Sequence, residues 1–214
     1  MTELSGAFAI AAALGWASGI RLYAVVFVCG LLHKLGYVVL PGELHLLAHE
    51  VVLATSGVLL VGEFVADKLP WFDSLWDALH TFIRLPGGAA LAFAALGEHG
   101  VAAQVAAALL GGTLAAGSHL GKSGSRLAIN HSPEPFSNWA ASFAEDGLVL
   151  GGLWLAWQYP WVFAALLLLF VLTLVWLLPK LWRLMRRSLR ALAALLRGES
   201  PWAHLRRAVE SASR

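Results

Sequence analysis

Two segments of the chain place an arginine shortly after a Ser-Gly pair inside apolar stretches. The sequence SGIRL at residues 18–22 recurs as SGSRL at residues 123–127, 105 positions later. An arginine beside a helix break brings positive charge and unpaired backbone N–H groups to one place, and a phosphate or carboxylate binds well there. We therefore expect an anionic substrate to contact Arg21, Arg126, Ser18, Ser123 and Asn138.

A larger set of ionisable residues lies in the same apolar stretches. Most of its members recur at steps of three or four residues, which places them on shared helix faces. Ionisable groups within a membrane are costly, so they pair with one another, line water or act on a substrate. We expect protons or a cation to be handled by Glu63, Asp67, Asp73, Asp77, His80, Arg84, Glu145 and Asp146.

Each of these interpretations has a structural alternative. Residues 73–84 could form an amphipathic helix on the membrane surface, with its charges in water. Arg21 could form a purely structural ion pair with Glu63 or Asp67, and this has equal weight with substrate contact.

The composition predicts the setting of these residues. Of the 214 residues, 59% are hydrophobic and only 13% are charged, which argues against a soluble domain and against a disordered chain. Six spans of about 20 residues would use up the length. The fold class predicted is therefore an all-α polytopic membrane protein with about six transmembrane elements.

The recurring arginine segment predicts an internal repeat. Each copy lies in the first element of a set of three, so a single transmembrane domain, 1–179, would contain two halves, 7–97 and 100–179. An odd number of elements per half inverts one half relative to the other, and such repeats use broken or re-entrant helices. Coincidence is the alternative, because Ser, Gly and Leu are common residues.

Residues 71–97 have the pattern of an interrupted element. Two short segments flank the Pro-Gly-Gly sequence at residues 86–88, which is typical of a turn. We predict a re-entrant hairpin here, and the alternative is a surface helix followed by a short span.

The two charge signs are separated along the chain. Residues 180–214 contain nine Lys or Arg and two Asp or Glu, whereas residues 1–179 contain six and eleven. This predicts that 180–214 is a basic amphipathic tail in the cytoplasm, and with six elements the N-terminus would be cytoplasmic too. A basic stretch directly after a hydrophobic span usually anchors topology, so no nucleic-acid partner is expected.

Four blocks of sequence resemble one known family. They are SGIRLY at 18–23, EFVADKLP at 63–70, DALHTFIR at 77–84 and SPEPFSNW at 132–139. With them the chain resembles the bacterial membrane-protein family catalogued as domain of unknown function 4126, from about residue 8 to about residue 178. The resemblance implies a bacterial inner-membrane protein and assigns no activity and no site residues.

These features together predict a small inner-membrane transporter or flippase for an anionic substrate, such as a lipid phosphate, coupled to protons. The first alternative is a cation channel or carrier whose carboxylates bind the ion, with the arginines bracing them. The second is an intramembrane lipid-modifying enzyme. The expected partners are membrane lipid, the substrate and a second copy in a homodimer, and we expect no cofactor, no metal and no catalytic residues.

Overall fold

The computed structural model describes residues 3–129 and 135–196, which are helical apart from short connections and contain no strand. Six α-helices follow one another: α1 is Glu3–Lys34, α2 is Glu50–Ala66, α3 is Pro70–Ala95, α4 is Val101–Ile129, α5 is Pro135–Gln158 and α6 is Pro160–Leu196. Short 3₁₀ helices cover Gly42–Ala48 and Gly97–His99. The all-α prediction is confirmed.

Several described helices have the length and composition of membrane spans. Three of them qualify alone, over Leu4–Lys34, Val101–Arg126 and Pro160–Leu177. The 3₁₀ helix Gly42–Ala48 and α2 are bent by 72° and would together provide a fourth, as a broken span or a re-entrant loop. Helices α3 and α5, which carry many of the ionisable residues, do not qualify by this measure.

The predicted break beside Arg21 is present, but its counterpart in the second half is not. Arg21 has φ −145° and ψ 70°, outside the helical region, so α1 consists of two helical segments joined at a kink. In contrast, α4 continues as one helix through Ser123 and Arg126, so the predicted second break is wrong. Ser and Gly lower helix propensity only modestly, and packing against other helices outweighs that preference.

The predicted hairpin over residues 71–97 is also wrong, as is its two-piece alternative. The segment is one helix, α3, with Pro86 inside it. Proline removes one backbone hydrogen bond, which membrane helices tolerate when neighbouring helices support them. Gly88, two residues after the proline, serves close packing rather than a turn. A Cβ on Gly88 would lie only 2.6 Å from the Cβ of Ala115 on α4.

Helices α1, α3 and α4 form a tightly packed core in which glycines allow backbones to touch. A Cβ on Gly15 would lie 2.4 Å from the Cα of Gly111, and a Cβ on Gly111 would lie 2.3 Å from the Cβ of Ala92. Membrane helices approach this closely only where the residues between them are small. This three-helix core carries all the buried basic side chains described below.

Helix α6 does not end at Pro179 but continues to Leu196. Residues 180–196 of the predicted tail are therefore helical, and residues 197–214 lie outside the described part of the chain. The chain divides into two compact units, Met1–Leu169 and Phe170–Arg214. All of the candidate site belongs to the first unit.

Candidate functional site

Helices α3 and α5 bury charged side chains and expose large apolar ones. On α3, Asp77 and Arg84 are buried, whereas Phe82 is 83% exposed. On α5, Glu145 is buried, whereas Phe143 is 58% exposed. This distribution is the reverse of that in a protein folded in water, where charged residues are rarely buried.

Most of the buried charges form one continuous network of ion pairs, which we call the charge cluster. Its carboxylates come mainly from α5 and from α2, with which we count its C-cap residue Asp67. Its four cations come from the core helices. The carboxylates are Glu63, Asp67, Asp77, Glu145 and Asp146, and the cations are Arg21, Arg84, Lys122 and Arg126. Asp146, whose side chain is 28% exposed, is the most accessible member.

Arg21 lies at the kink of α1, and its guanidinium extends toward α2 and α5. It forms an ion pair with Asp67, and its Nε lies 2.9 Å from Oδ1 of Asp146. Its Nη2 donates a hydrogen bond of 2.7 Å to Oγ of Ser142 and lies 3.6 Å from Oε2 of Glu145. The side chain is completely buried.

Arg126 lies near the end of α4 and forms a bidentate pair with Glu145. The distances are 2.8 Å from Nε to Oε1 and 2.9 Å from Nη2 to Oε2. Its Nη1 donates to the carbonyl of Asn138 at 3.1 Å, and Nη2 lies 3.5 Å from Oδ2 of Asp67. The two predicted arginines are thus brought together, since both contact Asp67 and Glu145.

Arg84 anchors the other side of the charge cluster. Its guanidinium donates to Oε1 of Glu63 and Oδ1 of Asp77, both at 2.6 Å. It also lies 3.1 Å from Nδ1 of His119. A guanidinium can only donate, so Nδ1 accepts and the imidazole proton is on Nε2, which lies 2.7 Å from Oγ1 of Thr81.

Lys122 occupies the middle of the charge cluster, although the sequence-based prediction of the site did not include it. Its Nζ lies within 4 Å of three carboxylates on three different helices, and its side chain is 1% exposed. His119 was missed as well. An ionisable residue in a span is itself a functional signal, and applied to α4 it would have selected Lys122.

Two of the predicted site residues have other contacts. The Ser18 hydroxyl donates to the carbonyl of Leu14 at 2.6 Å, within its own helix. The His80 ring stacks on Trp76 at 4.1 Å between centroids, and its Nδ1 lies 2.8 Å from the Trp76 carbonyl. His80 is therefore held by aromatic packing, which an edge contact with Tyr23 completes.

The remaining predicted residues lie at or beside the charge cluster. Ser123 donates from Oγ to Oδ2 of Asp77 at 3.3 Å. Asp73 is fully buried one turn before Asp77 on α3. A cavity of about 290 Å³ opens beside this part of the cluster, and its wall includes Asp77, Ser123, His119 and Arg126. A small molecule in this cavity would meet the cluster directly.

The fold and the site together define an all-helical protein with helices of membrane-spanning length and a buried network of ion pairs. The chain belongs to the family described as Domain of unknown function (DUF4126), whose profile matches residues 8–180. The resemblance noted in the sequence is thereby confirmed, and the match includes every member of the charge cluster. Neither the curated proteins nor the solved structures contain a match to the chain.

Proposed function

We propose that the protein is a small transporter or flippase of the bacterial inner membrane that moves an anionic substrate together with protons. The observation that carries the proposal is the pair Arg21 and Arg126, buried side by side and held by two shared carboxylates. Its proposed partners are membrane lipid, the substrate and a second copy of the chain. We propose transport rather than catalysis, with no cofactor and no nucleic acid.

The proposal includes six membrane crossings. Helices α3 and α5, with 26 and 24 residues, are about 39 and 36 Å long, which exceeds the hydrocarbon thickness of about 30 Å. Their charges face the protein interior and their exposed side chains are apolar, so insertion does not place those charges in lipid. The basic residues after α6 favour a cytoplasmic C-terminus, and six crossings then place the N-terminus on the same side.

The pairing of the arginines supports an inverted repeat of two three-helix halves. In such a repeat α1 corresponds to α4, and α2 corresponds to α5. Arg21 contacts carboxylates on both α2 and α5, and so does Arg126. Each arginine therefore joins its own half to the other, which is the arrangement expected around a central transport site.

The charge balance explains why protons would accompany the substrate. When all members of the charge cluster are ionised, its five carboxylates outweigh its four cations. The net negative charge then repels an anionic substrate from this buried site. A proton on Glu145 would remove the bidentate partner of Arg126. The freed guanidinium could then hold a phosphate or carboxylate group in the adjoining cavity, since two parallel N–H donors match such oxygens.

Transport by the purified protein in liposomes tests this function. We expect uptake of labelled phosphate, or movement of a fluorescent anionic lipid between leaflets, to be driven by an inward proton gradient. Arg126→Gln should abolish it, and Lys34→Gln, a change at an exposed lysine, should not. Arg126→Gln leaves the buried Glu145 carboxylate without its bidentate partner. The double variant Arg126→Gln/Glu145→Gln removes both charges and is the folded control.

A cation carrier is the second candidate, because the excess of carboxylates favours a positive ion. In that case Glu63→Gln would abolish the flux of sodium or potassium, and no anion or lipid would move. Absence of both anion and lipid transport in liposomes containing folded wild-type protein would contradict the first proposal. Chemical turnover of a lipid without transport would instead indicate an enzyme.

A further inference from the structure

The Lys122 ammonium is surrounded by oxygen atoms from four different helices. Nζ lies 3.3 Å from the carbonyl oxygen of Ile20 on α1 and 3.5 Å from Oδ1 of Asp67 on α2. It lies 3.7 Å from Oδ1 of Asp77 on α3 and 3.4 Å from Oε2 of Glu145 on α5. Within residues 3–129 and 135–196, no other side chain of the charge cluster contacts so many helices.

At these distances the Lys122 ammonium group has four oxygen neighbours of similar rank rather than one dominant partner. A charge-assisted hydrogen bond from an ammonium to a carboxylate is about 2.7–2.9 Å long. All four oxygens are farther away than this, at similar distances and from separate helices. One of them is a main-chain carbonyl next to the kink at Arg21, and carbonyls beside helix breaks coordinate monovalent cations in transporters.

We infer that Lys122 fills a site for a large monovalent cation with its own ammonium group. The oxygens are too far from Nζ for a small divalent ion, which binds oxygens at about 2.0–2.6 Å.

The inference deepens the proposed function. What it implies for ion coupling rests on that function. A tethered cation cannot leave the site, so transport would need no sodium or potassium, and protons on the carboxylates would provide the coupling. Removing the tether should open the site to a dissolved cation. The site itself exists whether or not the protein transports an anion, so the two proposals can fail separately.

Thermal unfolding of purified Lys122→Met tests the site without any transport assay. The probes are chloride salts of ammonium, potassium, sodium and choline at equal ionic strength. We expect the unfolding midpoint of Lys122→Met to be about 5–10 °C higher in saturating ammonium or potassium than in choline. Wild type, and Lys34→Met at the exposed ion pair, should show no difference between these salts.

A second variant is needed because the methionine side chain can fill the space that the Lys122 ammonium group leaves. Lys122→Ala leaves room for methylammonium or ethylammonium, which should raise its unfolding midpoint above that in choline. Equal midpoints of both variants in all salts would overturn the inference. Failure to recover either variant folded in ammonium or potassium would overturn it too, because a bound cation should replace the lost charge.

Discussion

Arg21 and Arg126 lie 105 positions apart in the chain, yet their guanidinium groups share two carboxylates, Asp67 and Glu145. The shared carboxylates belong to α2 and α5, whereas the arginines belong to the closely packed core of α1 and α4. The core helices touch through glycines, and α2 and α5 contribute most of the negative charge.

The buried pair of Glu63 and Arg84 should couple strongly in a double-mutant cycle. Arg84→Gln leaves the buried Glu63 carboxylate without its ion-pair partner, which costs about 3–5 kcal/mol. Glu63→Gln should cost less, because Arg84 keeps its pair with Asp77, and the double variant should recover about 0.5–3 kcal/mol of the summed loss. Titration with sodium dodecyl sulfate in mixed micelles measures these free energies. The exposed pair Lys34 and Glu50, 3.1 Å apart, should give at most about 1 kcal/mol. Equal coupling for both pairs would contradict the prediction.

Gly111 should tolerate no side chain. Alanine there would bring its Cβ within 2.3 Å of the Cβ of Ala92 and 2.8 Å of the Gly88 carbonyl oxygen, so Gly111→Ala should destabilise by about 1–3 kcal/mol. Gly147 on α5 is the matched control, because a Cβ there meets nothing within 4 Å. Gly147→Ala should be neutral or stabilising by up to about 1 kcal/mol, since alanine favours helix. Unfolding midpoints in detergent compare the two, and equal effects would argue against a backbone-packed core.

Six crossings predict which loops face the same side of the membrane. In a Cys29→Ser background, which removes the single cysteine, new cysteines at Tyr37 and Glu98 should react with an impermeant maleimide added outside the cells. A cysteine at Leu69, which is 46% exposed, should react only after the membrane is opened. Reaction of the Leu69 and Glu98 positions from the same side would show that α3 does not cross.

The pH dependence of anion uptake should depend on Glu145. If protonation of one carboxylate frees Arg126, uptake by wild type should rise as pH falls, by up to about tenfold per pH unit. Glutamine mimics the protonated acid, so Glu145→Gln should make uptake nearly independent of pH. Excess unlabelled phosphate should still inhibit that uptake. Glu98→Gln, at an exposed position, is the control. A wild-type pH profile in Glu145→Gln would assign the proton to another group.

Several features of this protein follow from the sequence by itself. The apolar composition and the helical spacing of Asp73, Asp77 and Arg84 predict a helix with one charged face, and the Ser-Gly pair before Arg21 predicts the break in α1. These properties depend on neighbours within a few residues, so local patterns are enough to reveal them.

Only the tertiary structure decided which charges meet. Arg21 bonds to Ser142, 121 positions away, and Lys122 sits among oxygens from four helices, contacts that no local pattern encodes. Tertiary packing also overrode local signals: Pro86 and two glycines predicted a turn, but in α3 the glycines allow neighbouring helices to approach and the helix continues. The physical reason is that a buried charge is stabilised by partners brought from elsewhere in the chain, and helix packing determines which partners those are.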